Sequence, residues 1–217
     1  MHHNSEQSPK KLNLAIHCTD NTYSFAYRKN NDDNSDTFFI KKFDKDLCNN
    51  LIVDFNQFIS KENLQKVNKI SVSIGPANFN ASRLIVVLAR TISQQLNCPL
   101  ESFSSFKLMS KRIALQNDIY INKQSFWIYK KLRRKGFITG KYQININDQN
   151  NKNFFIKEKV MPKIEEKLGL NEINFEANYN DEADLKELLN LSSENLKIGS
   201  LKSWEKVLPL YLISPVN

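Results

Sequence analysis

Apolar and polar residues alternate with period two over residues 69–74, the pattern of a half-buried strand, and residues 12–17, 23–27 and 37–40 also read as strands. A turn at Thr19, Asp20 and Asn21 and the polar run 29–36 separate these last three, so they read as an antiparallel meander. A helix is expected next, over residues 44–59. Leu47, Leu51, Phe55 and Phe58 recur at spacings of four, four and three, which puts them on one face, and Ile52 and Ile59 widen it. Asp44 or Asp46 suits its N-cap, where acidic residues favour the helix dipole.

The fourth strand runs into Gly75-Pro76-Ala77-Asn78-Phe79-Asn80-Ala81-Ser82-Arg83, followed by residues 84–96, long enough for about three turns of helix. A strand, a tight Gly-Pro turn and an incoming helix N-terminus form the usual place for an α/β protein to hold an anion or a partner. Asn78 or Asn80 suits the N-cap of that helix. Leu84 to Ala89 is apolar all round, which implies cover on both sides, from a second layer or from another chain. The β-branched Ile85, Val86 and Val87 also suit a strand. Helix is preferred because no turn signal interrupts the run before Asn97, Cys98 and Pro99.

Beyond Pro99 the pattern predicts a basic helix over 103–115 and strands over 125–129 and 136–144. A polar insertion follows at 145–153, then a short helix over 162–168 with Gly169 as its C-cap. A further helix over 181–191 and an extended segment over 208–212 complete an α/β chain. Residues 1–10 read as a polar tail, 11–100 as one lobe and 101–217 as a second. No internal repeat at a solenoid period is present.

Composition narrows the classes. A hydrophobic content of 41% with 14 Phe excludes a disordered chain. No apolar run approaches the roughly 20 residues of a membrane span, and the N-terminus lacks the apolar core of a secretory signal. Cys18, Cys48 and Cys98 are isolated and odd in number, which fits free thiols in a reducing cytoplasm rather than a zinc knuckle or disulfide framework. The net charge of +8 collects in residues 101–141, where ten Lys or Arg face only Glu101 and Asp118. Its densest part is Lys130, Lys131, Arg133, Arg134 and Lys135, near Trp127, Tyr129 and Phe137. Such a hairpin is a candidate RNA contact, or else a solvated basic face over core aromatics.

Catalytic signals are sparse. His17 stands at a strand end without a Cys, His or carboxylate at metal-ligand spacing, so a structural role is expected and no metal or cofactor. Asp20 reads as a turn residue, with a carboxylate role as the other option. Arg83, in a first helical turn, opposes the dipole and calls for an acidic partner within the protein or across an interface. No Ser-His-Asp order, P-loop or acid/base carboxylate pair stands out.

Four segments resemble the TsaB family, the non-catalytic partner in bacterial tRNA threonylcarbamoyladenosine synthesis. Residues 14–19 with 23–26 are similar to its opening L-A-I-D-T and C-S-V-A strands. Residues 75–84 lie over its signature G-P-G-S-F-T-G-L-R-I, with Gly75, Pro76, Phe79 and Arg83 in order. Residues 96–105 resemble L-x-x-P-L-x-G-V-S-S, and residues 204–212 its Pro-x-Tyr-Leu ending. The resemblance implies a ribonuclease-H-like, actin-like ATPase fold of two lobes with mixed sheets. It also implies a cytoplasmic scaffold that binds a TsaD-like catalytic subunit and is not itself an enzyme. The implied contact is a bundle of the first two helices. It places Leu47, Leu51, Leu84, Val87, Leu88 and Thr91 near the partner, or near a second copy when the chain is isolated. On that reading, Leu88→Asp severs the association and leaves a folded monomer.

The chain also departs from the family. His17 stands where the family has Asp, Ala77 and Ala81 replace signature glycines, and Ile85 replaces the next one. A Cβ at Ala77 and Ala81 blocks close backbone approach to a phosphate, so Gly75, Pro76, Ala77, Asn78, Phe79 and Arg83 read as a degenerate phosphate loop. The basic hairpin replaces an Asp-Ala-Arg-like turn. Rival readings are a nucleotide-dependent phosphotransferase or ATPase of the same superfamily, which the departures oppose, and a stand-alone RNA-binding module.

Overall fold

The computed structural model describes residues 12–29, 37–44, 47–119, 124–133, 136–146, 154–169, 172–196 and 203–212, the side chains of 47, 48 and 194–196 excepted. A first sheet has the order β3-β2-β1-β4-β5. It is built from β1 (Leu12–Cys18), β2 (Thr22–Lys29), β3 (Thr37–Asp44), β4 (Val67–Ser73) and β5 (Leu100–Phe103). The meander β1-β2-β3 is antiparallel, whereas β4 and β5 run parallel to β1 because helices cross between them. Helices α1 (Leu47–Phe58) and α3 (Phe79–Leu96) cover one face, with the short α2 (Lys61–Gln65) leading into β4.

The other face is covered by α5 (Asp181–Leu196), which arrives from far along the chain. The two faces differ in chemistry. Towards α1 and α3 the sheet is aromatic and aliphatic, with Leu14, Ile16, Phe25, Ile70 and Val72 in one cluster. Beneath α5 it is small and polar. There Ala15 and Ala26 meet Leu185, Leu188 and Leu189, beside buried Asn13, His17, Ser24, Lys69 and Glu101. Lys69 and Glu101 form an ion pair at 3.0 Å with both side chains at most 2% exposed, and the Lys69 ammonium also donates to the Ser192 carbonyl.

A second sheet has the order β8-β7-β6-β9. It comprises β6 (Ser125–Lys131), β7 (Phe137–Ile146), β8 (Phe154–Glu165) and β9 (Asn174–Glu176). Three antiparallel strands and a fourth parallel to the first repeat the plan of β1 to β4. Helix α4 (Ser105–Gln116) packs on one face of this sheet and against α5, so these two helices lie between the sheets. Its core holds Phe106, Met109, Ile113, Phe126, Ile128 and Tyr142.

Several sequence expectations are corrected. The short helix over 162–168 does not form: β8 runs through Pro162. Pro is tolerated there because β8 is an edge strand and its register with β7 shifts, pairing Lys141 with Val160 and Thr139 with Lys163. The helix expected from residue 44 begins at Leu47, because Asp44 closes β3, and Asp46 lies outside the described residues. The polar stretch from 145 still pairs at Asn145 and Ile146; residues 147–153 lie outside the description. The division near residue 100 separates the strands of the two sheets, while α5 and the 3-10 turn Trp204–Lys206 come back to the first.

Candidate functional site

The loop between β4 and α3 is where the sequence concentrates its signature, and it is closed. Gly75 sits at φ +100°, a conformation that strains any L side chain, and the Gly75–Pro76 peptide is cis. Both residues are buried. The Gly75 carbonyl accepts from the Ser105 N–H at 2.7 Å, and the Pro76 carbonyl from the Tyr179 hydroxyl at 2.7 Å. Leu210 donates its N–H to the Ile74 carbonyl at 2.9 Å, and its Cβ lies 3.9 Å from where a Gly75 Cβ would stand. Ala77 and Ala81 pack against the first core rather than lining an opening.

The start of α3 is satisfied by its own residues. Asn78, not Asn80, is the N-cap, its side chain accepting from Asn80 N at 3.0 Å and Ala81 N at 3.2 Å. Ser82 returns its hydroxyl to the Asn78 carbonyl at 2.9 Å. Arg83 lies over the Phe79 ring at 5.3 Å, and Phe79 meets Tyr211 at 5.8 Å. Arg83 thus finds an aromatic face where an acidic partner is expected. Arg90 lies over Trp204 at 5.4 Å. The signature and the chain's terminal segment, far apart in sequence, are one structure.

Charge gathers at the ends of β1 and β2, facing the first turn of α5. The Asp184 carboxyl takes Arg112 at 3.0 Å and the Asn180 N–H at 2.9 Å. Asp181 accepts from Thr22 Oγ1 at 2.8 Å and stands 3.4 Å from the Lys42 ammonium. His17 is fully buried beside them, and neither ring nitrogen has a hydrogen-bond partner. Burial lowers its pKa, against the pull of Asp184 and Asp181. Burial likewise raises the Asp184 carboxyl, opposed by His17, Asn180 and Arg112. Cys18 next to it is pushed up to about 12 by burial, so it is a thiol rather than a nucleophilic thiolate at neutral pH. Asp20 is taken by Lys130, whose ammonium also lies 5.5 Å from the Tyr179 ring. Among the described residues no group of three or more His, Cys, Asp or Glu is placed to hold a metal. Sequence reasoning missed Tyr179, Asp181 and Asp184; the acidic first turn of α5 was their signal.

The outer surface of α1 and α3 has a different character. Val87 is 59% exposed, Ile52 57% and Val53 53%, while Leu84 is half-buried and Thr91 exposed. Leu51 and Leu88 point the other way, into the first core at 6% and 8% exposure. The Leu47 side chain is outside the described residues. Of the basic hairpin, Lys130 is committed to Asp20, Lys131 and Arg133 are exposed, and Arg134 and Lys135 lie outside the description.

This architecture has close counterparts among solved structures. An uncharacterised protein with similarity to the peptidase YeaZ from Pseudomonas aeruginosa superposes with a TM-score of 0.68 at 13% identity, covering 94% of this chain and 100% of that one. YeaZ from Pseudomonas aeruginosa gives a TM-score of 0.64 at 16% identity, covering 93% and 100%. The chain has a YeaZ-like fold. The fold is therefore α/β, of the ribonuclease-H-like, actin-like type. No family model and no curated protein matches the sequence. Among the described residues no helix is long and apolar enough to cross a membrane.

Proposed function

We propose that this chain is a non-catalytic scaffold subunit that binds a TsaD-like catalytic partner in threonylcarbamoyl transfer to the tRNA adenosine beside the anticodon. It would act in the cytoplasm, where the buried free thiols Cys18 and Cys98 remain reduced. The observation that carries the reading is the pairing of a filled loop with an apolar helix surface. Tyr179 and Leu210 pack against the loop between β4 and α3, while Val87, Ile52 and Val53 stay exposed on adjacent helices. Large apolar side chains clustered on a surface mark an interaction site. The filled loop speaks against the phosphotransferase reading, which calorimetry with Mg-ATP tests directly: micromolar binding by the isolated chain would revive it.

Leu88 is part of the chain's own core, so Leu88→Asp would unfold the protein rather than report on a partner. The informative variants are Val87→Glu and Val53→Glu, made in the full chain and co-expressed with the TsaD-like subunit of the same cell. The expected result is loss of the complex, and of any homodimer, with an unchanged melting temperature. Undiminished co-purification of both variants would overturn the proposal.

A further inference from the structure

The second sheet is clothed on one side. Helix α4 packs on its inner face through Phe106, Met109 and Ile113. Opposite the buried Phe126, Ile128, Phe154 and Ile156, alternation turns Trp127, Tyr129, Phe155 and Lys157 outward. Register sets Trp127 beside Lys141, Lys131 beside Phe137 and Gln143 beside Lys157. The result is a pleated face of aromatic rings interleaved with ammonium groups. Residues 125–165, which contain its three main strands, hold ten Lys or Arg against Asp148, Glu158 and Glu165.

The Trp127 indole N–H is buried and makes no hydrogen bond. Trp127 lines a cavity of about 550 Å³, shared with Glu165, Glu166, Glu172 and Asn174. Glu172 holds Lys141 at 2.8 Å, and that ammonium stands 5.1 Å from the Trp127 ring. The cavity thus presents several carboxylate acceptors beside a ring plane. Carboxylates disfavour a phosphate there but accept from an exocyclic amine, as a cytosine edge provides.

From these features we propose that the outer face of the second sheet binds single-stranded nucleic acid. Bases lie on Tyr129 and Phe155 and one enters the cavity beside Trp127, while Lys131, Lys157 and Lys159 follow the phosphates. Rings on an open sheet reach bases only in unpaired strands, and stacking on them is tolerant of sequence. A protein partner fits less well, because the cores of protein interfaces are depleted in Lys and this face is studded with it. The inference is independent of the scaffold reading: it uses the opposite lobe and needs no second subunit.

The test uses the isolated full chain carrying Trp204→Phe, so that Trp127 is the remaining tryptophan, and a labelled 12-nucleotide oligocytidylate as probe. Binding at low salt with quenched Trp127 emission is expected, with a log–log salt slope of about −2 to −3 for three to four phosphate contacts. Tyr129→Ala and Trp127→Ala should each weaken binding about tenfold, whereas Trp127→Phe, which keeps a ring, should retain most of it and checks the fold. Lys157→Gln with Lys159→Gln should flatten the salt slope by about one unit. Tighter binding of the ribo- than the deoxy-oligomer would assign the site to RNA, and equal binding to single strands of either kind. Absence of binding at 50 mM salt, equal affinity for a duplex of the same length, or binding that leaves Trp127 emission unchanged would each overturn the proposal.

Discussion

The Tyr179 hydroxyl donates to the Pro76 carbonyl at 2.7 Å, joining the segment before α5 to the loop before α3. The ionisation of Tyr179 is pushed upward by burial, so it stays a donor at every ordinary pH. This hydrogen bond is one of several that join the lobes, beside Ser105 N–H to the Gly75 carbonyl and Lys130 to Asp20. Its loss in Tyr179→Phe should cost about 1 kcal/mol, read as a shift in the urea midpoint without a change in slope.

The cap of α3 offers an independent check of the loop geometry. Asn78→Ala removes the acceptor for two backbone donors and should destabilise the protein by about 1 kcal/mol. Asn80→Ala, whose side chain does not cap the helix, should fall within about 0.5 kcal/mol of the parent. Equal losses in chemical denaturation would contradict the capping assignment.

Two neighbouring residues of α3 should separate stability from association. Leu88→Ala empties a position in the first core and should cost about 2–5 kcal/mol. Val87→Ala exposes no new cavity and should change stability by less than about 0.5 kcal/mol. Thermal unfolding of the two variants decides the matter, and a stable Leu88→Ala protein would show that the helix is rotated from its described position.

His17 makes stability depend on pH with a definite sign. Its folded-state pKa lies below the ordinary 6.5 because burial disfavours the imidazolium, despite Asp184 and Asp181. The unfolded chain therefore binds a proton near pH 6.5 that the folded chain refuses. That contribution is full above this value and is lost as pH falls. Asp184 acts in the opposite sense at lower pH: its raised pKa makes the folded state hold the proton more tightly, so acidification through its range towards 3.8 favours folding. Lys42 faces Asp181 and Arg112 is paired with Asp184. Urea midpoints should fall between pH 7 and 5.5, and His17→Gln should flatten that slope. A slope unchanged by the substitution would refute the assignment.

The Lys69–Glu101 pair beneath α5 is enclosed on all sides. Glu101→Ala leaves the ammonium without its counter-charge and should destabilise by about 3–5 kcal/mol. Replacing both, as Lys69→Met with Glu101→Leu, should recover most of that loss, because the pair's desolvation is then also avoided. A double variant as weak as the single one would show that the Ser192 carbonyl, not the carboxylate, is the partner that matters.

Much of the architecture could be read from residue order. Period-two alternation located β4, apolar segments between turn signals located β1, β2, β3, β6 and β7, and the Leu47-Leu51-Phe55-Phe58 spacing located α1. Pro162 misled, because its tolerance depends on β8 lying at a sheet edge, which no local pattern encodes. The helix that looked apolar all round is one-sided in the fold. Its inward face includes Ser82 and Ser93, whose hydroxyls return to backbone carbonyls, while Val87 faces outward. Ala77 and Ala81 pack against the first core, and no local pattern points to the residues that meet this loop from elsewhere in the chain. Tyr179 and Leu210 reach it only through tertiary return of the chain, over more than a hundred residues.

The return of α5 to the first sheet has a consequence for how the molecule is made on the ribosome. Until residue 181 and those after it have emerged, Asn13, His17, Ser24, Lys69 and Glu101 have no lid, and water must stand in for it. The half synthesised first is therefore the half finished last. Severing the polypeptide near residue 100 would yield a fragment with one dry side and one thirsty side, not a freestanding module.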